Sequence, residues 1–114
     1  MSIERIHPDD WDAYFDAVSH AIKTDERSWL ADIEVFSSAI GDQREATGIV
    51  LRGLTYDGRE NRLNVMADHL EHAVVSPREI WVEPGEDKFL DSMLVVTDDG
   101  TRESILFKRS PSPS

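Results

Sequence analysis

The chain has 114 residues, a mass of 12.9 kDa and a formal net charge of −11, from 12 Lys and Arg against 23 Asp and Glu. This length allows one domain, whose hydrophobic core needs no disulfide or metal for stability. The acidic balance argues against nucleic-acid binding, which depends on clustered Lys and Arg. The absence of Cys excludes disulfides, thiolate metal sites, iron–sulfur clusters and a Cys nucleophile.

The ends of the chain carry no targeting signal. The first residues have neither the basic nor the apolar segment of a secretory signal, and no apolar run reaches the ~20 residues of a membrane span. We therefore expect a cytoplasmic protein without a membrane partner. Residues 110–114 are small and polar, so we expect a single domain over residues 1–109 followed by a disordered tail.

An amphipathic helix is predicted over Pro8–Ile22. Its apolar positions recur with helical spacing at Trp11, Tyr14, Phe15, Val18 and Ile22. Pro8 suits the first helical position, because its missing N–H would lack a helical partner there. With His7 as the N-cap, Ile6 and Trp11 have the spacing of a hydrophobic staple.

The rest of the chain predicts strands. The runs with strand character are Trp29–Phe36, Thr47–Tyr56, Asn61–Ala67, Leu70–Val75, Glu79–Glu83, Phe89–Thr97 and Thr101–Lys108. Ser76-Pro77 interrupts the fourth run and Glu79–Glu83 continues it, which predicts five or six strands. Gly48, Gly53 and Pro77 mark expected bends or bulges.

The predicted fold class is therefore α+β. No helix separates the strands, so parallel crossovers are disfavoured and an antiparallel meander is expected. The N-terminal helix buries its aromatic stripe on one face of this sheet. Strong curvature would close the sheet into a small SH3-like or Sm-like barrel, the alternative to an open sheet.

The densest polar cluster contains Asp68, His69, Glu71 and His72. Imidazole and carboxylate groups are ligands for Zn²⁺ and related metals. In a helix the two histidines would share a face, whereas in a strand they point to opposite faces. The strand then allows only His72 with Asp68, or His69 with Glu71, to converge. A catalytic His–carboxylate pair would also need a nucleophile such as Ser76.

Two predicted strands are apolar on both faces. Trp81 alternates with Ile80 and Val82, and the following strand carries Leu, Met, Val and Phe at both parities. Such strands lie centrally in a sheet or at a partner interface. The candidates for an interface are Trp81, Leu90, Leu94 and Val96. Because self-association is a common use of a spare apolar sheet face, a homodimer is expected.

The chain resembles a family of small uncharacterised bacterial proteins, a domain of unknown function. The resemblance spans residues 6–107 and is carried by short distributed segments. These are Asp10-Trp11, Tyr14-Phe15, Trp29-Leu30, Ile33-Glu34-Val35, Leu51–Asp57, His69–Val74, Pro77–Ile80 and Asp99-Gly100. The resemblance implies one compact domain, and it implies no activity, cofactor or catalytic residue.

Three functions follow as expectations, in order of support. The first is a non-enzymatic interaction module that self-associates through the apolar sheet face. The second is a small-ligand or metal-binding protein that uses the sheet near His69 and His72. The third is an enzyme with a His–carboxylate pair. The sequence predicts no cofactor.

Overall fold

A computed structural model describes residues 2–86 and 89–111, and within these ranges the chain forms one α-helix and eight strands. The elements are β1 (Glu4–Ile6), a 3₁₀ turn (Pro8–Asp10), α1 (Trp11–Thr24), β2 (Trp29–Ser37), β3 (Gly41–Asp57), β4 (Arg62–Ala67), β5 (Leu70–Val75), β6 (Pro77–Pro84), β7 (Leu90–Thr97) and β8 (Arg102–Arg109). The strands follow the spatial order β1-β6-β7-β8-β2-β3-β4-β5, and all pairs are antiparallel.

The predicted α+β fold with an antiparallel sheet is confirmed, but the predicted number of strands is too low. β1 is only three residues long, which is too short to show a hydrophobic pattern. The run interrupted at Ser76 forms two strands that belong to different parts of the sheet. Ser76 has a positive φ of 56°, and it sends the chain from β5 at one edge to β6 near the other.

The strand order also departs from a simple meander. β2–β5 and β6–β8 are each consecutive hairpins, and β8 pairs with β2 to join them. The sheet ends at β1 on one side and β5 on the other, and these strands do not pair. The sheet is open, so the barrel alternative is not confirmed.

His7 caps the 3₁₀ turn Pro8–Asp10, whereas α1 begins only at Trp11, three residues after the predicted start, with Asp10 as an N-cap that makes no side-chain hydrogen bond. The His7 ring accepts a hydrogen bond of 3.2 Å from the Asp9 amide, and the Trp11 indole donates to the Ile6 carbonyl at 2.9 Å. The helix continues to Thr24, two residues past the predicted end, and the Asp25 amide closes its last turn on the Ala21 carbonyl at 3.1 Å. No helix within the described ranges is long and apolar enough to cross a membrane.

β3 is the longest strand, and it changes partner along its length. It pairs with β2 up to Val50 and with β4 from Leu51 onward. Three register shifts interrupt these ladders. One lies around Gly48 and one between Leu51 and Gly53, as the glycines predicted, and a third leaves Glu45 without a partner in β2. Gly48 has a φ of +61°, and its amide donates to Asp32 Oδ1 at 2.7 Å. These bulges bend β3 and turn the β4–β5 hairpin towards the helix side of the sheet.

Beyond Val50, β3 pairs with β4 on one side, and α1 covers the other side, where β2 is no longer its neighbour. Ser19 Oγ donates to the Leu54 carbonyl at 2.6 Å and accepts from the Leu54 amide at 2.9 Å. A Cβ atom on Gly53 would lie 3.1 Å from Met66 Cε and 3.4 Å from Ser19 Oγ. The glycine therefore lets the helix approach the strand closely enough for one hydroxyl to satisfy two buried backbone groups.

The hydrophobic core lies between α1, the inner face of the larger part of the sheet and the β4–β5 hairpin. Apolar residues with at most 8% exposure fill this space from all three sides. The helix contributes Trp11, Phe15, Val18 and Ile22. Trp11 meets Tyr56 edge to face at 5.1 Å, and Trp29 meets Phe89 at 4.8 Å. The aromatic stripe is thus buried as its helical spacing predicted.

Part of the predicted tail lies in the described region. The Ser110 amide donates to the Ser28 carbonyl at 2.8 Å, and Ser110 Oγ accepts from the Ser28 amide at 3.0 Å. Residues 112–114 of the predicted tail lie outside the described residues.

We expect Ser19→Ala to lower the free energy of unfolding by about 2 kcal/mol, because both Leu54 backbone groups would lose a buried partner. Urea unfolding followed by Trp fluorescence measures this change. Ser28→Ala is the matched control, because Ser28 is exposed and its change should stay within about 0.5 kcal/mol. Equal effects of the two substitutions would contradict the assigned role of Ser19.

Candidate functional site

The polar cluster predicted from the sequence is spread over several surfaces. Asp68 pairs with Arg52 at 2.5 and 3.0 Å, and this hydrogen bonding lowers the pKa of the Asp68 carboxyl. His69 occupies the β4–β5 turn with a φ of 63° and is exposed. Glu71 is exposed on the outer face of β5, whereas His72 points inward. The structure therefore does not bring these four side chains together as one ligand set.

A metal centre is not assembled from this cluster. Among the residues that the structure describes, no group of three or more His, Asp or Glu side chains could hold a metal ion. His69 and His72 diverge because they are separated by an odd number of positions along a strand and its turn, as the strand interpretation predicted.

His72 instead pairs with a residue 31 positions later, Glu103 of β8. His72 Nε2 lies 2.5 Å from Glu103 Oε1, and the side chains are only 17% and 9% exposed. β5 is an edge strand and β8 lies near the middle of the sheet, so the contact connects two strands that are not neighbours in the sheet. Glu103 lies on the same face of β8 as the buried Ile105 and Phe107, and this inward Glu is the sequence signal that could have pointed to the pair.

The environment of His72 favours its charged form. The hydrogen bond to Glu103 raises the pKa of His72 above the ordinary 6.5, burial opposes this rise, and the charges of Glu103 and Glu45 add to it. A partly buried imidazolium beside a carboxylate forms a strong, charge-assisted hydrogen bond. The pair therefore fastens the free edge strand β5 to the main sheet.

The outer face of β6, β7 and β8 is the second candidate site. Trp81, Leu94 and Val96 all lie on this face and are partly exposed, and Leu106 beside them is 47% exposed. Ile80 and Val82 fill the core, which decides between the two faces that the sequence left open for β6. At one end a shallow groove of about 190 Å³ runs between Ile3, Trp81 and Leu94.

Leu90 is wrong as an interface candidate, because it is only 3% exposed and belongs to the core. The β6–β7 ladder pairs Glu83 with Ser92 and then Pro84 with Leu90, so Asp91 is an extra residue without a partner. This bulge reverses the side-chain alternation that the sequence implied, and it turns Leu90 inward while Leu94 and Val96 face outward.

Charged residues flank the apolar part of this face. Glu79 and Glu83 lie on β6, and Arg102 and Lys108 lie on β8. The register places Glu79 beside Val96 and Val96 beside Arg102, so these three form one row across the sheet. A second row runs Arg5, Trp81, Leu94, Ser104 and Glu34. Arg5 also lies over the Trp81 ring, with its guanidinium carbon 5.7 Å from the ring centre.

Comparisons with known proteins agree with the fold and name no activity. The model of a family of unknown function (DUF5335) matches residues 2–113. An uncharacterized protein of Aquifex aeolicus (strain VF5) is 31% identical over 109 residues, which cover 95% of this chain and 94% of that protein. These findings confirm the predicted resemblance to a small uncharacterised bacterial family.

One solved structure has the same overall fold. The crystal structure of the Bacillus subtilis YojF protein matches with a TM-score of 0.54 and 14% sequence identity, covering 100% of both chains. At this identity the likeness shows the fold alone.

We expect the stability of the protein to fall as the pH rises through the range of His72. The folded state raises the pKa of this group, so its stabilisation is complete below about pH 6.5 and is lost as the pH rises through the folded-state value. The free energy of unfolding should therefore decrease as the pH is raised above about 6.5.

Urea unfolding at several pH values measures this dependence in the wild type and in His72→Gln, where it should vanish. His20→Gln is the control, because His20 is exposed on α1 and should keep the wild-type profile. A profile that persists in His72→Gln would show that another group causes the dependence.

Proposed function

This chain belongs to the family of unknown function DUF5335, and we propose that it is a non-enzymatic interaction module that binds a second copy of itself. The partner is held by the outer face of β6, β7 and β8. The observation that carries the proposal is the partly exposed apolar stripe of this face, on a protein whose net charge is −11. Large apolar surfaces on acidic, otherwise polar proteins mark association sites.

The apolar residues form the centre of the proposed interface. Trp81, Leu94, Val96 and Leu106 lie on three adjacent strands, so their side chains form one continuous surface. An aromatic and aliphatic centre with a polar rim is the usual anatomy of a protein interface. Trp81 is the expected anchor, since tryptophan is enriched among the residues that contribute most to binding.

The charges around this centre favour a second copy as the partner. In a dimer of stacked sheets, a two-fold axis parallel to β7 places β6 of one subunit over β8 of the other. Rotation about an axis parallel to the strands leaves each residue at the same height along the strand direction. Each row of residues across one sheet therefore faces the same row of the partner's sheet. Glu79 then faces Arg102 of the partner subunit, and Arg102 faces the partner's Glu79.

A second row gives the same complementarity. Arg5 lies two strands from β7 on one side, and Glu34 lies two strands away on the other side. The same rotation therefore sets Arg5 opposite Glu34 of the partner subunit. Opposite charges in both rows steer the two subunits into one orientation. Rotation about an axis across the strands would instead set Glu79 against the partner's Glu79.

Two further expectations from the sequence belong to this proposal. The protein acts by binding and not by catalysis, and it does so in the cytoplasm. The pairing of His72 with Glu103 supports the first, because the imidazole fastens β5 and is mostly covered by protein.

We expect Leu94→Asp to convert a dimer into a monomer, because it places a carboxylate in the apolar centre of the interface. Light scattering at high protein concentration measures this, with twice the 12.9 kDa chain mass expected for the wild type. Val75→Asp is the control, since Val75 is 56% exposed on β5, away from the proposed interface. A wild type with the mass of one chain would refute self-association.

Charge reversal tests the proposed two-fold axis separately. Glu79→Arg alone and Arg102→Glu alone should each weaken the dimer roughly tenfold, because like charges then meet across the interface. The double variant should restore the wild-type dissociation constant. A dimer that is insensitive to all three changes would retain self-association but rule out this orientation.

A further inference from the structure

A cleft of about 660 Å³ lies where the last turns of α1 meet the start of β2 and the end of β8. Ala17 and Ala21 form its helix wall, and their small side chains leave it open. Trp29 and Arg109 form the opposite wall, and Arg27 lies between. We call this space the arginine cleft. It lies away from the proposed dimer face and is independent of that proposal.

The described residues satisfy the two arginines differently. Arg27 Nε is buried and has no hydrogen-bond partner in the described part of the chain. Arg109 Nε is also buried, but it lies 3.0 Å from Asp25 Oδ2, so its charge is paired. Arg27 makes no ion pair with any residue in ranges 2–86 and 89–111.

Asp25 does not neutralise both arginines. Its Oδ1 accepts from the Arg27 amide at 3.0 Å, and its Oδ2 accepts from the Trp29 indole at 2.9 Å. These hydrogen bonds lower the pKa of Asp25, and so its single charge is fully present and lies beside Arg109. Glu26 also lines this cleft, and Glu86 and Asp91 line the adjoining one, but no described carboxylate lies within ion-pair distance of the Arg27 guanidinium.

Aromatic rings lie beside this cleft. Trp29 and Phe89 meet edge to face at 4.8 Å, and the Arg109 guanidinium lies 4.7 Å above the Phe89 ring. A second cleft of about 580 Å³, bordered by Phe89, adjoins the first along Arg27 and Arg109. Arg27 and Arg109 therefore line two adjoining clefts whose walls are partly apolar.

We propose that the arginine cleft binds a small organic anion, whose carboxylate or phosphate oxygens accept hydrogen bonds from Arg27 and Arg109. Guanidinium groups recognise both anions through paired N–H donors, and the guanidinium of Arg27, which has no ion-pair partner among the described residues, supplies such donors. The apolar body of the ligand packs against the helix wall formed by Ala17 and Ala21. Buried donors without a protein partner concentrate at functional sites, where a ligand completes them.

Titration with three probes tests the proposal by NMR at about 0.1 M ionic strength, which limits repulsion by the net negative charge. The probes are phenyl phosphate, benzoate and inorganic phosphate. The Trp29 indole and Arg27 Nε–H resonances should shift with phenyl phosphate, benzoate or both, and inorganic phosphate should bind more weakly because it lacks an apolar body. Binding of phenyl phosphate alone would indicate a phosphate ligand, and binding of benzoate alone would indicate a carboxylate ligand. Unchanged resonances with both organic probes at millimolar concentration would overturn the proposal.

Substitution of Arg27 gives the matched comparison. Arg27→Gln should weaken probe binding roughly tenfold or more, and Arg27→Lys should weaken it less because the charge remains. Arg44→Gln is the control, since Arg44 pairs with Glu34 on the β2–β3 hairpin and should leave the affinity unchanged. Thermal melting checks that each variant is folded. An affinity for the organic probe that is equal in folded Arg27→Gln and in the wild type would also overturn the proposal.

Discussion

Strand β3 pairs with β2 through Val50 and with β4 afterwards, and the Leu54 amide and carbonyl point to the side of β3 that β2 no longer covers. Ser19 of α1 binds both groups. The helix is thus held at the bend by hydrogen bonds as well as by its apolar stripe. Burying two unsatisfied backbone groups would cost several kcal/mol by order of magnitude, so the bent strand and the seated helix depend on each other.

The bend in β3 also affects which face of the sheet is covered. It turns the β4–β5 hairpin towards the inner side of the sheet, and His72 of β5 reaches Glu103 of β8 there. The opposite face of β6–β8 has no covering element among the described residues, and its apolar stripe remains partly exposed. The arginine cleft lies at the end of α1, where the helix, β2 and β8 meet. The inner side of the sheet thus carries the His72–Glu103 pair, and the apolar stripe lies on the uncovered outer face.

The sequence predicted what depends on local pattern, and it failed where distant residues meet. The helical spacing, the His7 cap and the bulges near Gly48 and Gly53 were predictable because each depends on neighbours in the chain. Leu90 was misassigned because one extra residue at Asp91 reverses the side-chain alternation, and only the β6–β7 register shows it. The His72–Glu103 pair and the arginine cleft join segments separated by tens of residues, so no local motif marks them.

By itself the sequence determined an acidic α+β domain, with an amphipathic N-terminal helix and antiparallel strands, because period, caps and turns are short-range properties. The tertiary structure decided the strand order, the open edges at β1 and β5, and which side of β6 and β7 faces the core. Those outcomes depend on competition among whole elements for the same buried surface. A helix can cover only one face of the sheet, and the bend in β3 determined which face that was.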